Sequence, residues 1–255
     1  MSRLPDAFLK APIAHRALHD LSARRPENSP AAIEAACAAG YGIEIDLQLS
    51  SDGVAMVFHD YDLKRLTDAV GPIRQRSAAE LGQITLKGGT DTIPTLEQVL
   101  QQVAGRVPLL IEIKDQDGAM GGSVGALEAA TARALQTYQG VVAVMSFNPH
   151  SMIAMAGLAP EIPRGLTTCA YTAEDWPLLP AATRTRLRDI PDYDAAKASF
   201  ISHDASDLDA PRVADLKARG AAILCWTIRS AEAEAAARRM AQNVTFEGYA
   251  AAIPA

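Results

Sequence analysis

Short apolar runs recur along this chain, and stretches of helical character separate them. The runs cover residues 11–15, 42–49, 108–113, 141–146, 164–168, 199–202, 222–227 and 243–246. Their length and composition suit strands buried on both faces. Between them lie helix signals. An Ala-rich stretch over 30–39 stops at Gly40, residues 95–103 open with Thr-Leu-Glu-Gln, and 123–137 are rich in Ala and Leu. Residues 210–219 end at Gly220, and 230–242 begin Ser-x-Glu-x-Glu. Eight strands alternating with helices over a chain of 255 residues predict an α/β fold, a TIM-type (β/α)8 barrel. In such a barrel the chemistry sits where the strands end.

Two stretches interrupt the alternation. Ser51-Asp52-Gly53 separates two strand-like runs, 43–49 and 54–59. A two-residue loop at Asp52-Gly53 predicts a tight hairpin that sets Asp46 opposite His59. Residues 60–106 are too long for a simple connection. They predict a small inserted subdomain after the second barrel strand, forming a lid or wall over the mouth of a single catalytic domain spanning 1–255.

A net charge of −6 leaves no basic stripe to neutralise a nucleic-acid backbone. Arg184, Arg186 and Arg188 cluster weakly and read as a solvated helix face. Three cysteines, Cys37, Cys169 and Cys225, are widely spaced and apolar in context, which indicates neither a disulfide framework nor a zinc site. The first residues lack a signal-peptide apolar core, and no run approaches a membrane span. The expected setting is the cytoplasm, with no stable membrane insertion and no nucleic-acid partner.

The chemistry concentrates early. His15 and Arg16 follow the first run, Glu44 and Asp46 flank Ile45 in the second, and His59 precedes Asp60. Side chains alternate along a strand, so Glu44 and Asp46 share a face. Buried together they are costly unless a cation pairs with them. An ion pair with Arg16 is one account. A divalent cation is the better one, because Glu112 ends another strand and supplies a third carboxylate for Mg²⁺ or Ca²⁺. Lys114 shares the face of Glu112 and can neutralise a phosphate oxygen. The fork of Arg16 matches two phosphate oxygens. His15 and His59, each beside a charge and bracketing the acid pair, suit proton transfer. Glu27 and Asn28 are placed to cap the next helix and lean into the site. Trp226 and Phe147 stand at strand ends as walls for a substrate alcohol or as core. His19 and His150 read as loop or helix-start residues, and His203 as a lesser candidate for the mouth.

The stretches His15-Arg16, Pro26-Glu27-Asn28-Ser29, Glu44-Ile45-Asp46, His59-Asp60 with Leu63, Arg65 and Thr67, Pro94-Thr95-Leu96, Glu112-Ile113-Lys114, Ser146-Phe147 and Trp226-Thr227 resemble, in order, those of the glycerophosphodiester phosphodiesterase family. The resemblance spans nearly the whole chain. It implies a TIM-type barrel, a divalent metal on Glu44, Asp46 and Glu112, His15 and His59 as the acid–base pair, and Arg16 and Lys114 on the phosphate. Two departures stand out. Ala17 replaces the family's usual Gly after His-Arg, and Thr245-Phe246-Glu247-Gly248 replaces its usual Thr-Asp-x-Pro.

The expected reaction is hydrolysis of a small-molecule glycerophosphodiester to sn-glycerol 3-phosphate and an alcohol. A lysophospholipase D-like barrel of the same chemistry is an alternative, although no basic amphipathic helix is evident. A barrel that binds phosphodiesters without turnover is another. A metal-dependent isomerase or aldolase would not need two His flanking a metal.

Overall fold

In the computed structural model, which describes residues 2–254, eight parallel strands close into a barrel. They are β1 (Ile13–Ala14), β2 (Gly42–Leu49), β4 (Leu109–Ile113), β5 (Val142–Ser146), β6 (Arg164–Thr168), β7 (Phe200–Asp204), β8 (Ala222–Ile228) and β9 (Asn243–Phe246). Each pairs in parallel with the next, and β1 closes the ring by pairing with both β2 and β9. A ninth strand, β3 (Ala55–Val57), lies antiparallel on β2.

The helices are α1 (Pro30–Ala39), α2 (Ala78–Leu81), α3 (Leu96–Val103), α4 (Ala126–Leu135), α5 (Pro149–Leu158), α6 (Ala181–Arg188), α7 (Pro211–Ala218) and α8 (Ala231–Ala237). Local chemistry sets their ends. Ser29 accepts a hydrogen bond from the Ala32 N–H, Pro30 fits the first turn, and Gly40 stops α1 at φ +76°. Thr95 and Gln98 form a reciprocal capping box at α3.

The twofold alternation of strand residues sorts the barrel into two compartments. Ile43, Ile45, Leu47, Ile111, Val144, Ile223 and Val244 pack outward in the main core with the helices. Ile13, Leu110, Ala143, Met145, Phe200 and Leu224 point inward and meet Leu4 and Phe8, which plug the lower end. The lower interior is therefore apolar apart from Asn243, whose amide donates to the Phe8 and Ala11 carbonyls at 2.7 Å. The inward positions nearer the strand ends are Glu44, Asp46, Glu112, Thr167 and Thr245, all buried. A polar layer thus sits directly on an apolar one.

The hairpin forms, but one residue out of the expected register. Leu49 pairs with Ala55 and Leu47 with Val57, so Phe58 rather than His59 lies across from Asp46. The cause is a three-residue loop. Ser50 and Val54 close it, and Gly53 takes φ +78°, the arrangement of a turn followed by a left-handed residue. His59 still reaches the mouth, because the Gln48 amide donates to its carbonyl at 3.0 Å.

Met56 of β3 and residues beyond it gather a small core of their own with Phe58, Leu63, Ile73, Leu81, Leu86 and Ile93. The last helix of the long 60–106 stretch, α3, is different. Leu96, Val99, Leu100 and Val103 pack into the main core, so α3 is a member of the barrel's helix ring.

Candidate active site

The polar layer is built by strand register. Asp46 and Glu112 are paired neighbours on β2 and β4, and Glu44 is two residues below Asp46 on the same face. All three carboxylates are buried, and one oxygen from each lies within 4.8 Å of the others. Lys114, just past β4, places Nζ 2.8 Å from Asp46 and 2.7 Å from Glu112. Arg16 Nε stands 3.7 Å from Asp46.

These charges titrate very differently. Burial raises the Glu44 carboxyl well above its usual range, and the neighbouring charges of Asp46 and Glu112 push the same way. Burial also works against an ionised Asp46, but Lys114, His59 and Arg16 outweigh it and hold that carboxyl well below its usual range. The cluster is therefore short of positive charge at Glu44. Oxygens within 4.8 Å of one another can be spanned by one cation with metal–oxygen bonds of about 2.1–2.6 Å. The all-oxygen donor set suits a hard divalent ion.

His15 follows β1 with its Nδ1 2.6 Å from Glu247 Oε2. Glu247 follows β9, accepts from Arg229 Nε at 2.8 Å, and lies 3.5 Å from His19 Nε2. The hydrogen bond to His15, with the His19 imidazole close by, holds the Glu247 carboxyl well below its usual range. Burial lowers the His15 imidazole, and Glu247 partly offsets this. His59 is held the same way, with Nδ1 2.7 Å from Asp60 Oδ1. Asp60 is gripped by Arg65 Nε at 2.6 Å, Arg65 also holds Glu27 at 2.8 Å, and Glu27 accepts from Arg16 Nη1 at 2.8 Å. One chain of ion pairs therefore runs from His59 to Arg16. In both imidazoles a carboxylate occupies Nδ1 and leaves Nε2 for other work.

The loop after His15 is held left-handed. Arg16 and Ala17 take φ +52° and +64°, while the Arg16 N–H donates to Glu44 Oε2 at 2.8 Å and the Ala17 N–H to the Glu44 carbonyl at 2.9 Å. Ala17 thus adopts the conformation that glycine favours, at a cost of roughly 1–2 kcal/mol. Asn28, also left-handed at φ +58°, is not the helix cap that its position suggests. Ser29 caps α1, and the Asn28 amide instead donates to Asp46 Oδ2 at 2.9 Å.

A cavity of about 170 Å³ collects His15, Arg16, Glu44, His59, Glu112, Lys114 and Trp226, together with Thr167 and Thr245. The Trp226 indole donates to the Ser202 carbonyl at 3.0 Å, which fixes the ring on the wall. His203 turns outward, buried against Thr168 at 2.7 Å and Asp207 at 3.2 Å. His150 lies in the first turn of α5, and its N–H is capped by Asn148. The sequence reading missed Glu247 and Asp60 as partners of the imidazoles and Arg65 as the link between Asp60 and Glu27.

The profile of the glycerophosphoryl diester phosphodiesterase family matches residues 15–245. The chain belongs to this family. It is similar to the glycerophosphodiester phosphodiesterase of Caldanaerobacter subterraneus subsp. tengcongensis, with 30% identity over 64% of this chain and 69% of the relative. A phosphodiesterase from Oleispira antarctica, solved with its product sn-glycerol-3-phosphate, superposes with a TM-score of 0.77 at 28% identity, over 95% of this chain and 94% of the other. A putative glycerophosphoryl diester phosphodiesterase from Agrobacterium tumefaciens, at 20% identity, shares the barrel with a TM-score of 0.75 over 94% of each chain. The protein is thus an enzyme, a phosphodiesterase of this family. The family uses a divalent metal, and Glu44, Asp46 and Glu112 form the acidic cluster able to bind one. No helix among the described residues is long and apolar enough to cross a membrane.

Proposed function

We propose that this enzyme hydrolyses glycerophosphodiesters to sn-glycerol 3-phosphate and the free alcohol. In this reading Glu44, Asp46 and Glu112 hold Mg²⁺ or Ca²⁺, and His15 and His59 exchange protons with the substrate. The observation that carries it is the pairing in one cavity. Two imidazoles, each with Nδ1 on its own carboxylate, flank three buried carboxylates beside Arg16 and Lys114.

When bound, the cation offsets the charge that grows on the phosphate oxygens. Arg16 has one edge committed to Glu27, while its buried Nε, 3.7 Å from Asp46, makes no hydrogen bond among the described residues and can donate to a phosphate oxygen. Lys114 adds a second positive group on the cavity wall. One imidazole removes a proton from the attacking hydroxyl, which is water or the glycerol 2-hydroxyl acting through a cyclic phosphate. The other protonates the departing alkoxide through Nε2. Glu247 and Asp60 fix the tautomer and stabilise each imidazole when it is charged. Trp226 walls the cavity beside the substrate. The whole chain acts as one catalytic barrel, with the insert after β3 as a wall of its mouth. Its three cysteines are free, which suits a reducing cytoplasm.

The test is release of glycerol 3-phosphate by purified enzyme from glycerophosphocholine, glycerophosphoethanolamine and glycerophosphoglycerol, with EDTA, Mg²⁺ or Ca²⁺. Metal-dependent release is expected. Folded enzyme that cleaves none of them with either metal contradicts the reading.

A further inference from the structure

Arg65 does not line the catalytic cavity, yet two of the groups that do are held through it. It belongs to the insert after β3, between buried Leu63 and buried Thr67. The Thr67 N–H and hydroxyl both donate to the Leu63 carbonyl, at 3.0 and 2.8 Å, and this closed turn fixes the main chain on either side of Arg65. The Arg65 side chain reaches from there to Asp60 and to Glu27, which precedes α1. Its guanidinium makes four hydrogen bonds. Nε donates to Asp60 Oδ2 at 2.6 Å and Nη1 to Glu27 Oε2 at 2.8 Å. Nη2 donates to both carboxylates, to Asp60 Oδ1 at 2.8 Å and to Glu27 Oε1 at 2.9 Å.

Those last two oxygens are the ones that hold the reactive groups. Asp60 Oδ1 lies 2.7 Å from His59 Nδ1, and Glu27 Oε1 accepts from Arg16 Nη1 at 2.8 Å. One nitrogen of Arg65 therefore stands between the two, and its other nitrogens occupy the far oxygen of each carboxylate. Among the described residues no other cation pairs with both. The terminal torsion of a carboxylate is soft, so with a single partner either group could swing and take its imidazole or guanidinium along. Arg65 is 47% exposed, and a lone ion pair that open contributes little. A planar fork on both oxygens of two carboxylates is a different case, because it fixes geometry. Burial works against a charged Glu27, and the hydrogen bond from Arg65 leads the effects that outweigh it and lower its pKa.

We infer that Arg65 is a positioning residue for the reaction, aligning His59 for proton transfer and Arg16 for the phosphate through one shared contact. The inference rests on the diester-hydrolase reading above. Arg65 takes no part in bond making. Through it the insert carries part of the alignment of the site, beyond serving as a wall of the mouth.

The experiment measures kcat on glycerophosphodiesters, calorimetric affinity for sn-glycerol 3-phosphate and Tm, with metal present, in the wild type, Arg65→Gln, Arg65→Lys, Asp60→Asn and the Asp60→Asn/Arg65→Gln double variant. Arg65→Gln is expected to lower kcat by roughly 10- to 100-fold and to weaken glycerol 3-phosphate binding by about tenfold, with Tm nearly unchanged. Arg65→Lys recovers little of either, because one ammonium cannot hold both oxygens of two carboxylates. Asp60→Asn lowers kcat and leaves the affinity near that of wild type, because Glu27 keeps Arg65. In the double variant kcat falls little below that of Arg65→Gln, since both residues act on His59 through one chain of contacts. Arg65→Gln with kcat and affinity both within twofold of wild type overturns the inference, and so does the loss of only one of them. Full recovery by Arg65→Lys also overturns it, because charge alone would then suffice. If the wild type cleaves no glycerophosphodiester, the hydrolase reading falls and takes the inference with it. If the wild type turns over and Arg65→Gln matches it, the inference alone falls.

Discussion

Replacing Glu247 by glutamine keeps the shape of the side chain and removes its charge. In the wild type Glu247 Oε2 lies 2.6 Å from His15 Nδ1, and its other oxygen is held by Arg229. A glutamine carbonyl can still accept from one of these partners, so the fold should survive. The lost element is a charge-assisted hydrogen bond to the imidazole, worth about 1.5–3 kcal/mol. At 1.36 kcal/mol per tenfold in rate, its loss predicts a fall in kcat of about 10- to 150-fold if the bond matters most when His15 is charged. The sign of the pH effect also follows. Burial lowers the His15 pKa, and Glu247 raises it against that trend. Without Glu247 the imidazole pKa falls further, so the kinetic limb governed by His15 moves to lower pH. If His15 is the base, the acid limb shifts down. If it is the acid, the alkaline limb shifts down and the active window narrows. The assay is glycerol 3-phosphate release by Glu247→Gln and wild type across pH 5 to 10. A kcat within twofold of wild type, with both limbs unmoved, refutes the argument that Glu247 positions His15.

Three further outcomes are expected. His15→Ala and His59→Ala should each lower kcat by roughly 100- to 10,000-fold with Tm nearly unchanged, and near-normal turnover in both would remove them from proton transfer. Gly165 packs against the buried Phe200 ring, where an added Cβ would meet ring carbons at 2.4 Å. Gly165→Ala therefore overpacks the barrel interior by about 1–3 kcal/mol and lowers Tm by roughly 2–12 °C, whereas an unchanged Tm would mean that the ring yields freely. Glu34 forms a two-pronged ion pair with Arg106, and that hydrogen bond holds its carboxyl at about 2. A depressed folded pKa gives stability that is present above the unfolded value near 4.3 and is lost as pH falls toward 2. The Tm difference between wild type and Glu34→Gln should vanish over that interval, and a difference that persists at pH 2 would assign it to packing.

The barrel was readable because parallel strands buried on both faces leave continuous apolar runs, and β2, β6 and β9 begin and end where those runs do. Other elements gave weaker signals. The sequence of α5, Pro-His-Ser-Met-Ile-Ala-Met-Ala-Gly-Leu, has no polar face to create a helical period. In α6 the basic residues suggested a solvated face without fixing where the helix begins. The hairpin register turned on whether Asp-Gly closes a loop of two residues or three, which local sequence leaves open. Within the site, the carboxylates and imidazoles were legible because charge inside apolar runs demands a reason. Glu247 was visible only as a departure from the family's closing motif. Its partner His15 is 232 residues away in sequence, so only barrel closure between β1 and β9 brings them together. Asn28 leans into the site as expected, on Asp46, but does not cap α1; a residue just before a helix normally signals a cap, whereas the link to Asp46 is a tertiary contact.

The central claim is that the buried carboxylate trio holds the cation on which turnover depends. The direct measurement is a titration of Mg²⁺ and of Ca²⁺ into EDTA-stripped wild type and Asp46→Asn, with cation binding and glycerol 3-phosphate release read on the same samples. The account predicts one site per chain in the wild type, turnover that rises in step with occupancy, and loss of both in Asp46→Asn. Full turnover by stripped enzyme, or tight binding that Asp46→Asn leaves intact, would contradict it.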